Sequence, residues 1–333
     1  MIKAAVIGVG NMGRNHVRVY AEMENVELVA VADTDETAAQ RAVHSYRVGK
    51  VYTDYREMLD HEKPDIVSIV VPTQHHCEVA YEAISQGAHV LVEKPLALTQ
   101  AEGQRIIDTA TSHGVKLMVG HIERFNPAIV EIKRRLEEQE LGRVFQVHAR
   151  RLSPLPSRIQ DVGVVLDLAT HDIDVMRYLL GSDVERVYAE IERKAHQSCE
   201  DLLSGLLRFS NGIIGVLDVN WLTPTTVRQL AILGEGGMYL ADYRTQDVYW
   251  YKNRHGNTTV QHTLDVFQGV WEGDMVKIHF QKKEPLRAEL ESFVAAVLED
   301  REPPVNGQDG LIALDLAQKL IESGSKHMPI YLR

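Results

Sequence analysis

The sequence predicts an α/β protein in two domains, a doubly wound parallel sheet followed by an α/β domain built on a large, mostly antiparallel open sheet. Three observations predict it. Apolar strand candidates alternate with helical stretches from residue 1 to about 120, a glycine-rich turn directly follows the first strand, and beyond Asp183 strands succeed one another with only turns between them. At 333 residues with 44% hydrophobic content the chain can bury two ordinary cores. The expected domains are 1–122 and 123–333.

Ile2 to Ile7 is an apolar strand, followed at once by Gly8-Val9-Gly10-Asn11-Met12-Gly13 and a helical stretch to about Glu24. Glycines at this spacing allow a tight turn, close approach of a pyrophosphate to the backbone, and close packing of helix on strand. The second strand, Val26 to Ala32, ends in Asp33, twenty residues beyond Gly13, where an acid that binds ribose is expected. A carboxylate there accepts bonds from both ribose hydroxyls and repels a 2′-phosphate, so NAD is expected rather than NADP. Asp35 is an alternative acid, and either residue would also serve as a cap for the helix at Glu36-Thr37-Ala38.

The alternation continues through a short strand at Val51-Tyr52, a helix from Asp54 to Leu59 and an apolar strand from Ile66 to Val71. The loop Pro72-Thr73-Gln74-His75-His76 then lies at a carboxyl end of the sheet, with Cys77 to Ser85 helical behind it, and Thr73 and His76 are read as cofactor-lining. Adjacent His75, His76 and Cys77 do not make a metal site, because consecutive helical residues diverge by about 100° and no carboxylate at ligand spacing completes the set. A buried strand, Ala88 to Val92, ends in Glu93-Lys94-Pro95. The Lys94 ammonium is either a solvated charge at a strand end or an acid/base group whose pKa is set by burial and neighbours. Thr99-Gln100-Ala101-Glu102 matches a capping box and starts a helix to about His113, and Val115 to Val119 is the sixth strand.

After Gly120, Asn126-Pro127 reads as an N-cap followed by proline at the first helical position, with Ile129, Ile132 and Leu136 facing inward. A strand from Arg143 to Leu152 leads to an irregular loop, Ser153-Pro154-Leu155-Pro156-Ser157. The run from Gly163 to Asp174 enters a helix over Val175 to Leu180. Asp167 and His171 stand four apart, so on a helix they share a face, either as a capping and ion-pair arrangement or as half of an acid/base site. Strands are expected at Val184 to Ile191, Leu202 to Phe209, Gly212 to Trp221, Val227 to Leu233, Met238 to Tyr243 and Val248 to Tyr251. Their short connections imply antiparallel pairing, and the second face of such a sheet needs covering by helices or another subunit. Helices from Leu286 to Leu298 and from Gly310 to Ser323 close the chain.

A formal net charge of -11 argues against nucleic acid or an anionic membrane as partner. Cys77 and Cys199, the only cysteines, form neither a disulfide framework nor a zinc site. Met1-Ile2-Lys3 leads straight into a strand with no signal-peptide region, and no apolar run approaches the roughly twenty residues of a membrane span. A soluble, cytoplasmic protein is expected.

The glycine turn Gly8 to Gly13, the Pro72-Thr73 loop with His76, Glu93-Lys94-Pro95 and Asp167-x-x-x-His171 occur in the order and spacing of one family. Nearly the whole chain resembles the glucose–fructose oxidoreductase / inositol dehydrogenase / MocA family. The resemblance implies a Rossmann domain, a second α/β domain whose open sheet mediates assembly into a homodimer or homotetramer, and NAD(P)-dependent chemistry on a sugar or cyclitol carbinol. It implies Lys94, Asp167 and His171 as catalytic residues, and Gly8, Gly10, Asn11, Met12, Gly13, Asp33, Thr73, His76 and Glu93 as the cofactor-binding set.

His121 to Pro127, with Asn220-Trp221-Leu222-Thr223-Pro224 and Arg228, resemble the branch of UDP-N-acetylglucosamine 3-dehydrogenases. Arg124, Asn126 and Arg228 are the substrate-binding candidates, the two arginines to neutralise a diphosphate. Arg124 would equally suit an ion pair with Glu123 or with a carboxylate at the domain interface, and Trp221 a place in the sheet core. Oxidation needs a base within about 3 Å of the hydroxyl, for which His171 is favoured with Lys94 as its electrostatic partner and Asp167 orienting one of them. The alternatives are an inositol or free-sugar dehydrogenase and a non-catalytic NAD-binding regulator.

Overall fold

A computed structural model describes residues 1–46, 49–156, 162–196, 198–253 and 273–332. Ser157, the end of the expected irregular loop, lies outside the described residues. The chain divides into two units, residues 1–125 with 283–317, and residues 126–282 with 318–333. The first unit therefore includes a late segment that chain order alone assigns to the second domain.

In the first unit β1 (Ile2–Ile7), β2 (Val26–Ala32), β3 (Lys50–Tyr52), β4 (Ile66–Ile69), β5 (His89–Glu93) and β6 (Leu117–Gly120) form one parallel sheet in the order β3-β2-β1-β4-β5-β6. This order reverses beside β1, and doubly wound sheets bind ligands at such a reversal, at the carboxyl ends of the strands. The helices between strands are α1 (Gly13–Ala21), α2 (Glu36–Tyr46), α3 (Tyr55–Glu62), α4 (His76–Ser85) and α5 (Gln100–His113). Local chemistry fixes several boundaries. The Asp54 side chain caps α3, and Thr99 and Glu102 close the capping box of α5. Central strands are mostly apolar because both faces are covered; all four residues of β4 are buried, including Ser68, which is bonded to Tyr20.

The second unit starts with α6 (Pro127–Glu137), capped by Asn126 with proline in its first turn. Its strands are β7 (Val144–Pro154), β8 (Val184–Glu192), β9 (Leu202–Phe209), β10 (Ile214–Asn220), β11 (Leu222–Gly234), β12 (Gly237–Asp242), β13 (Asp247–Lys252), β14 (Met275–Ile278) and β15 (Ile330–Tyr331). They form a nine-stranded sheet among the described residues, ordered β14-β13-β12-β11-β7-β10-β9-β8-β15. Every pairing is antiparallel except that of β7 with β10. Val147, Ala149 and Arg151 of β7 oppose Ile232, Leu230 and Arg228 of β11. This buried face contrasts with the other, where Leu206, Ile214 and Leu233 are 48%, 38% and 42% exposed. The helix α7 (Thr170–Leu180) begins five residues earlier than expected and is preceded by a π-helical turn, Val165–Ala169.

The remaining helices among the described residues are α8 (Pro285–Leu298) and α9 (Gly307–Lys326). Val305 and Asn306 add to β6 through the Val119 amide bond to the Val305 carbonyl and a bridge from Met118 to Asn306. A side chain at Gly310 would strike Val119 at 2.7 Å, so the start of α9 lies close on the first sheet. In the second unit Ser323 Oγ accepts the Ala189 amide and donates to the Met328 carbonyl.

Candidate active site

The glycine turn at the end of β1 is shaped by three different needs. Gly8 has φ +89 and lies where a Cβ would be 2.5 Å from the Val70 carbonyl oxygen. A Cβ on Gly13 would be 1.9 Å from the Gly8 oxygen, so the helix can begin against the strand only without one. Gly10 differs, because a Cβ added there would have nothing within 4 Å, and its smallness answers to no protein neighbour. Asn11 Oδ1 accepts a bond from Arg14 at 2.7 Å. Met12 occupies the N-cap of α1 without a capping side chain, and no acid lies in the first turn.

Asp33 Oδ2 accepts the Val9 amide at 2.7 Å and its Oδ1 accepts the Asp35 amide at 2.9 Å. Asp35 in turn accepts the Ala38 amide at 3.1 Å. Asp33 thus braces the glycine turn, while Asp35 takes the capping role open to either acid.

Thr73 lies half-buried in a short 3₁₀ turn, Thr73–His75, that leads into α4. His76 is 1% exposed, with Nδ1 and Nε2 each 2.9 Å from a carbonyl, of Pro95 and Val71 respectively. Burial pushes this imidazole below its ordinary range, although both carbonyls pull the other way. His76 therefore ties the end of the fourth strand to the turn after Lys94, and any effect on a cofactor passes through that backbone.

Lys94 is half-buried at the carboxyl end of β5, before a cis bond to Pro95. Its amide donates to Glu93 Oε2 at 3.2 Å, and His16 Nε2 donates to Glu93 Oε1 at 3.2 Å. Burial alone would raise the Glu93 carboxyl, but the His16 bond and the charges of His16 and Lys94 outweigh it and hold Glu93 below the ordinary range. Gly120, its neighbour across β5 and β6, makes room, since a Cβ there would lie 3.0 Å from the carboxylate.

Arg124 lies in the first unit, 8% exposed, with its guanidinium 3.1 Å from Asp309 Oδ2 and 3.2 Å from the Pro304 carbonyl. The ion-pair alternative describes it, with Asp309 as a carboxylate partner, and its charge is neutralised within the protein.

In the second unit Asp167 stands on the π turn and His171 in the first turn of α7, both half-buried. The turn is entered at Gly163, where a Cβ would overlap the Glu200 carboxylate at 2.0 Å. Glu200 Oε1 accepts the Val165 amide at 3.2 Å, and burial raises its carboxyl above the ordinary range. Next to His171, Asp172 accepts two bonds from Arg151, at 2.8 and 3.0 Å, with both side chains 2% exposed or less. Tyr243 lies 5.1 Å from the Arg151 guanidinium, and its carbonyl accepts a bond from Asn126 Nδ2 at 3.1 Å. Asn126 Oδ1 meanwhile caps α6 through the Ala128 amide, so this side chain is committed to structure on both sides. Trp221 is 2% exposed and belongs to the sheet core.

Two groups thus emerge. The first unit gathers the glycine turn, Asp33, Thr73, His76, Glu93 and Lys94 at one end of its sheet, and the second carries Asp167, His171 and Arg228 with α7 and its sheet. Sequence reasoning assigned no role to Arg151, Asp172, His16 or Glu200. The first pair had no distinct signal in the sequence, since Arg151 follows Arg150 and Asp172 lies among Asp167, His171 and Asp174. No group able to hold a metal ion occurs among the described residues.

The reversed strand order, the glycine turn and its acid brace define a dinucleotide-binding fold. A family model described as an oxidoreductase family with an NAD-binding Rossmann fold matches residues 2–121, and the GFO/IDH/MocA C-terminal domain matches residues 129–240. The chain belongs to this family of NAD-binding oxidoreductases. It is 28% identical to UDP-N-acetylglucosamine 3-dehydrogenase of Acidithiobacillus ferrooxidans over 90% of each protein. It is 25% identical to the NAD(+) scyllo-inositol 2-dehydrogenase of Bacillus subtilis over 99% of the chain and 96% of that enzyme. A solved structure of the Acidithiobacillus enzyme superposes with a TM-score of 0.83 at 26% identity, covering 97% of both chains. The turn fits NAD on its own geometry, with open space over Gly10, an uncapped α1 N-terminus for the pyrophosphate, and a braced Asp33 for the ribose. No helix among the described residues is long and apolar enough to cross a membrane.

Proposed function

We propose that the protein oxidises a secondary hydroxyl of a sugar, C3 of a UDP-N-acetylhexosamine, to a ketone. When bound, NAD supplies the hydride acceptor. His171 takes the hydroxyl proton, a transfer to which imidazole chemistry is suited near neutral pH. Lys94 stabilises the developing alkoxide, and Asp167 orients the base.

The observation that carries the choice of substrate is the position of Arg228. It stands directly opposite Arg151 on the buried face of the second sheet, and Arg151 is bound to Asp172, the residue after His171. Arg228 is the cation assigned to the diphosphate, because a guanidinium can bind two phosphate oxygens through parallel N–H bonds. The exposed Leu206, Ile214 and Leu233 on the opposite face support assembly of two or four copies through this sheet.

The test is reduced-nicotinamide absorbance with UDP-sugars, free sugars and inositols. Turnover restricted to the UDP-N-acetylhexosamines supports the assignment. Turnover with inositols, the substrates of several relatives, replaces it, and NAD binding without turnover identifies a regulator. Lys94→Ala is expected to lower kcat by about a thousandfold and leave NAD affinity unchanged. Near-normal turnover removes Lys94 from the chemistry.

A further inference from the structure

Glu289 on α8 is completely buried, and neither of its carboxyl oxygens has a hydrogen-bond partner. The helix packs on α1, which brings His16, Arg18 and Tyr20, and on the turn Ile122–Phe125, which brings Glu123 and Arg124. Of these, Tyr20 is bonded to Ser68, Arg18 to Glu284 and Arg124 to Asp309, while His16 donates to Glu93. Glu93 and Glu123 are within electrostatic reach of Glu289.

Two of these buried acids have opposite surroundings. Glu93 receives hydrogen bonds on both oxygens, from His16 and from the Lys94 amide. Glu289 receives none, and a carboxylate without donors in an apolar interior, beside other carboxylates, keeps its proton. We propose that Glu289 is a positioning residue for the Lys94 turn, a neutral carboxylic acid that fills the space near Glu93 and leaves Glu93 ionised between His16 and the Lys94 amide. Burial and the charges of Glu93 and Glu123 push Glu289 well above the ordinary carboxylate range, in the same direction. An ionised Glu289 would set a second negative charge against Glu93 and disturb the Lys94 turn.

The consequence for turnover rests on Lys94 acting in catalysis, whereas the protonation of Glu289 does not. Infrared difference spectra of the NAD-loaded enzyme at neutral pH should show a protonated carboxyl band that is lost in Glu289→Gln. Glu289→Ala should lower kcat on the order of tenfold with NAD affinity unchanged, and Glu289→Gln, a neutral side chain of the same shape, should restore most of it. An unchanged infrared band in Glu289→Gln, or wild-type kcat in Glu289→Ala, overturns the proposal. If the alanine variant fails to fold, a kcat in Glu289→Gln more than about tenfold below the wild type overturns it, because a neutral side chain of the same shape should serve as well. If Lys94→Ala proves active, the catalytic reading fails while the infrared result still decides the state of Glu289.

Discussion

The first unit prepares its candidate site with backbone, and the second with side chains. At the end of β1 the candidate cofactor surface consists of glycines in a turn braced by one carboxylate, all within 33 residues of the chain start. Around α7 the support is an arginine on β7 clasping Asp172 across 21 positions, with Arg228 brought opposite by the pairing of β11 and β7. A backbone site fails through steric clash, and a side-chain site through an unpaired buried charge. Different substitutions therefore break each.

The largest loss of stability is expected in the second unit. Asp172→Ala leaves the Arg151 guanidinium buried without its carboxylate and should cost about 3–5 kcal/mol in denaturant unfolding. Replacing both partners, as Arg151→Met with Asp172→Leu, should cost far less, because no unpaired charge remains. A double variant as unstable as the single one would mean that the pair's shape, rather than its charge, holds α7.

In the first unit two glycines three residues apart should behave oppositely. Gly13→Ala puts a methyl group 1.9 Å from a backbone oxygen and should destabilise by about 3 kcal/mol, since strand and helix must separate. Gly10→Ala meets no protein atom and should shift stability by no more than about 0.5 kcal/mol. Its effect should fall instead on NAD affinity, by about tenfold or more in titration, because the open space there is what the pyrophosphate needs. Equal NAD affinity in Gly10→Ala and wild type would place the pyrophosphate elsewhere.

This contrast also decides what could be read in advance. The glycine spacing, Asp33 and the six alternations are local patterns, and the parallel sheet follows from them. Asn126-Pro127 and Thr99 with Glu102 were legible as caps for the same reason, since both partners lie within a turn. Long-range partners were not. Nothing near Arg124 announces Asp309, 185 positions away, and no pattern in the Arg143 to Leu152 strand announces its central place between β11 and β10. The return of residues 283–317 to the first unit was equally hidden, because an amphipathic helix does not state which sheet it will cover. The π turn at Asp167 depends on Glu200 meeting the backbone at Val165, again a contact between distant positions.

The smallest effect expected concerns His76, where a side chain of the first unit serves its backbone. Its folded-state pKa is lowered by burial, so the unfolded chain takes up a proton more readily than the folded one. Stability is then complete above the ordinary imidazole value of about 6.5 and falls as pH drops from there toward the lowered folded value. The slope attributable to this residue is at most about 1.4 kcal/mol per pH unit. His89 and His148 are shifted in the same direction by burial, so the wild-type curve alone does not isolate it. Subtracting the denaturant midpoints of His76→Gln across this range does, because the other two histidines are common to both proteins. A difference that stays constant with pH would show that His76 titrates alike folded and unfolded, and that the two carbonyls of Val71 and Pro95 offset its burial.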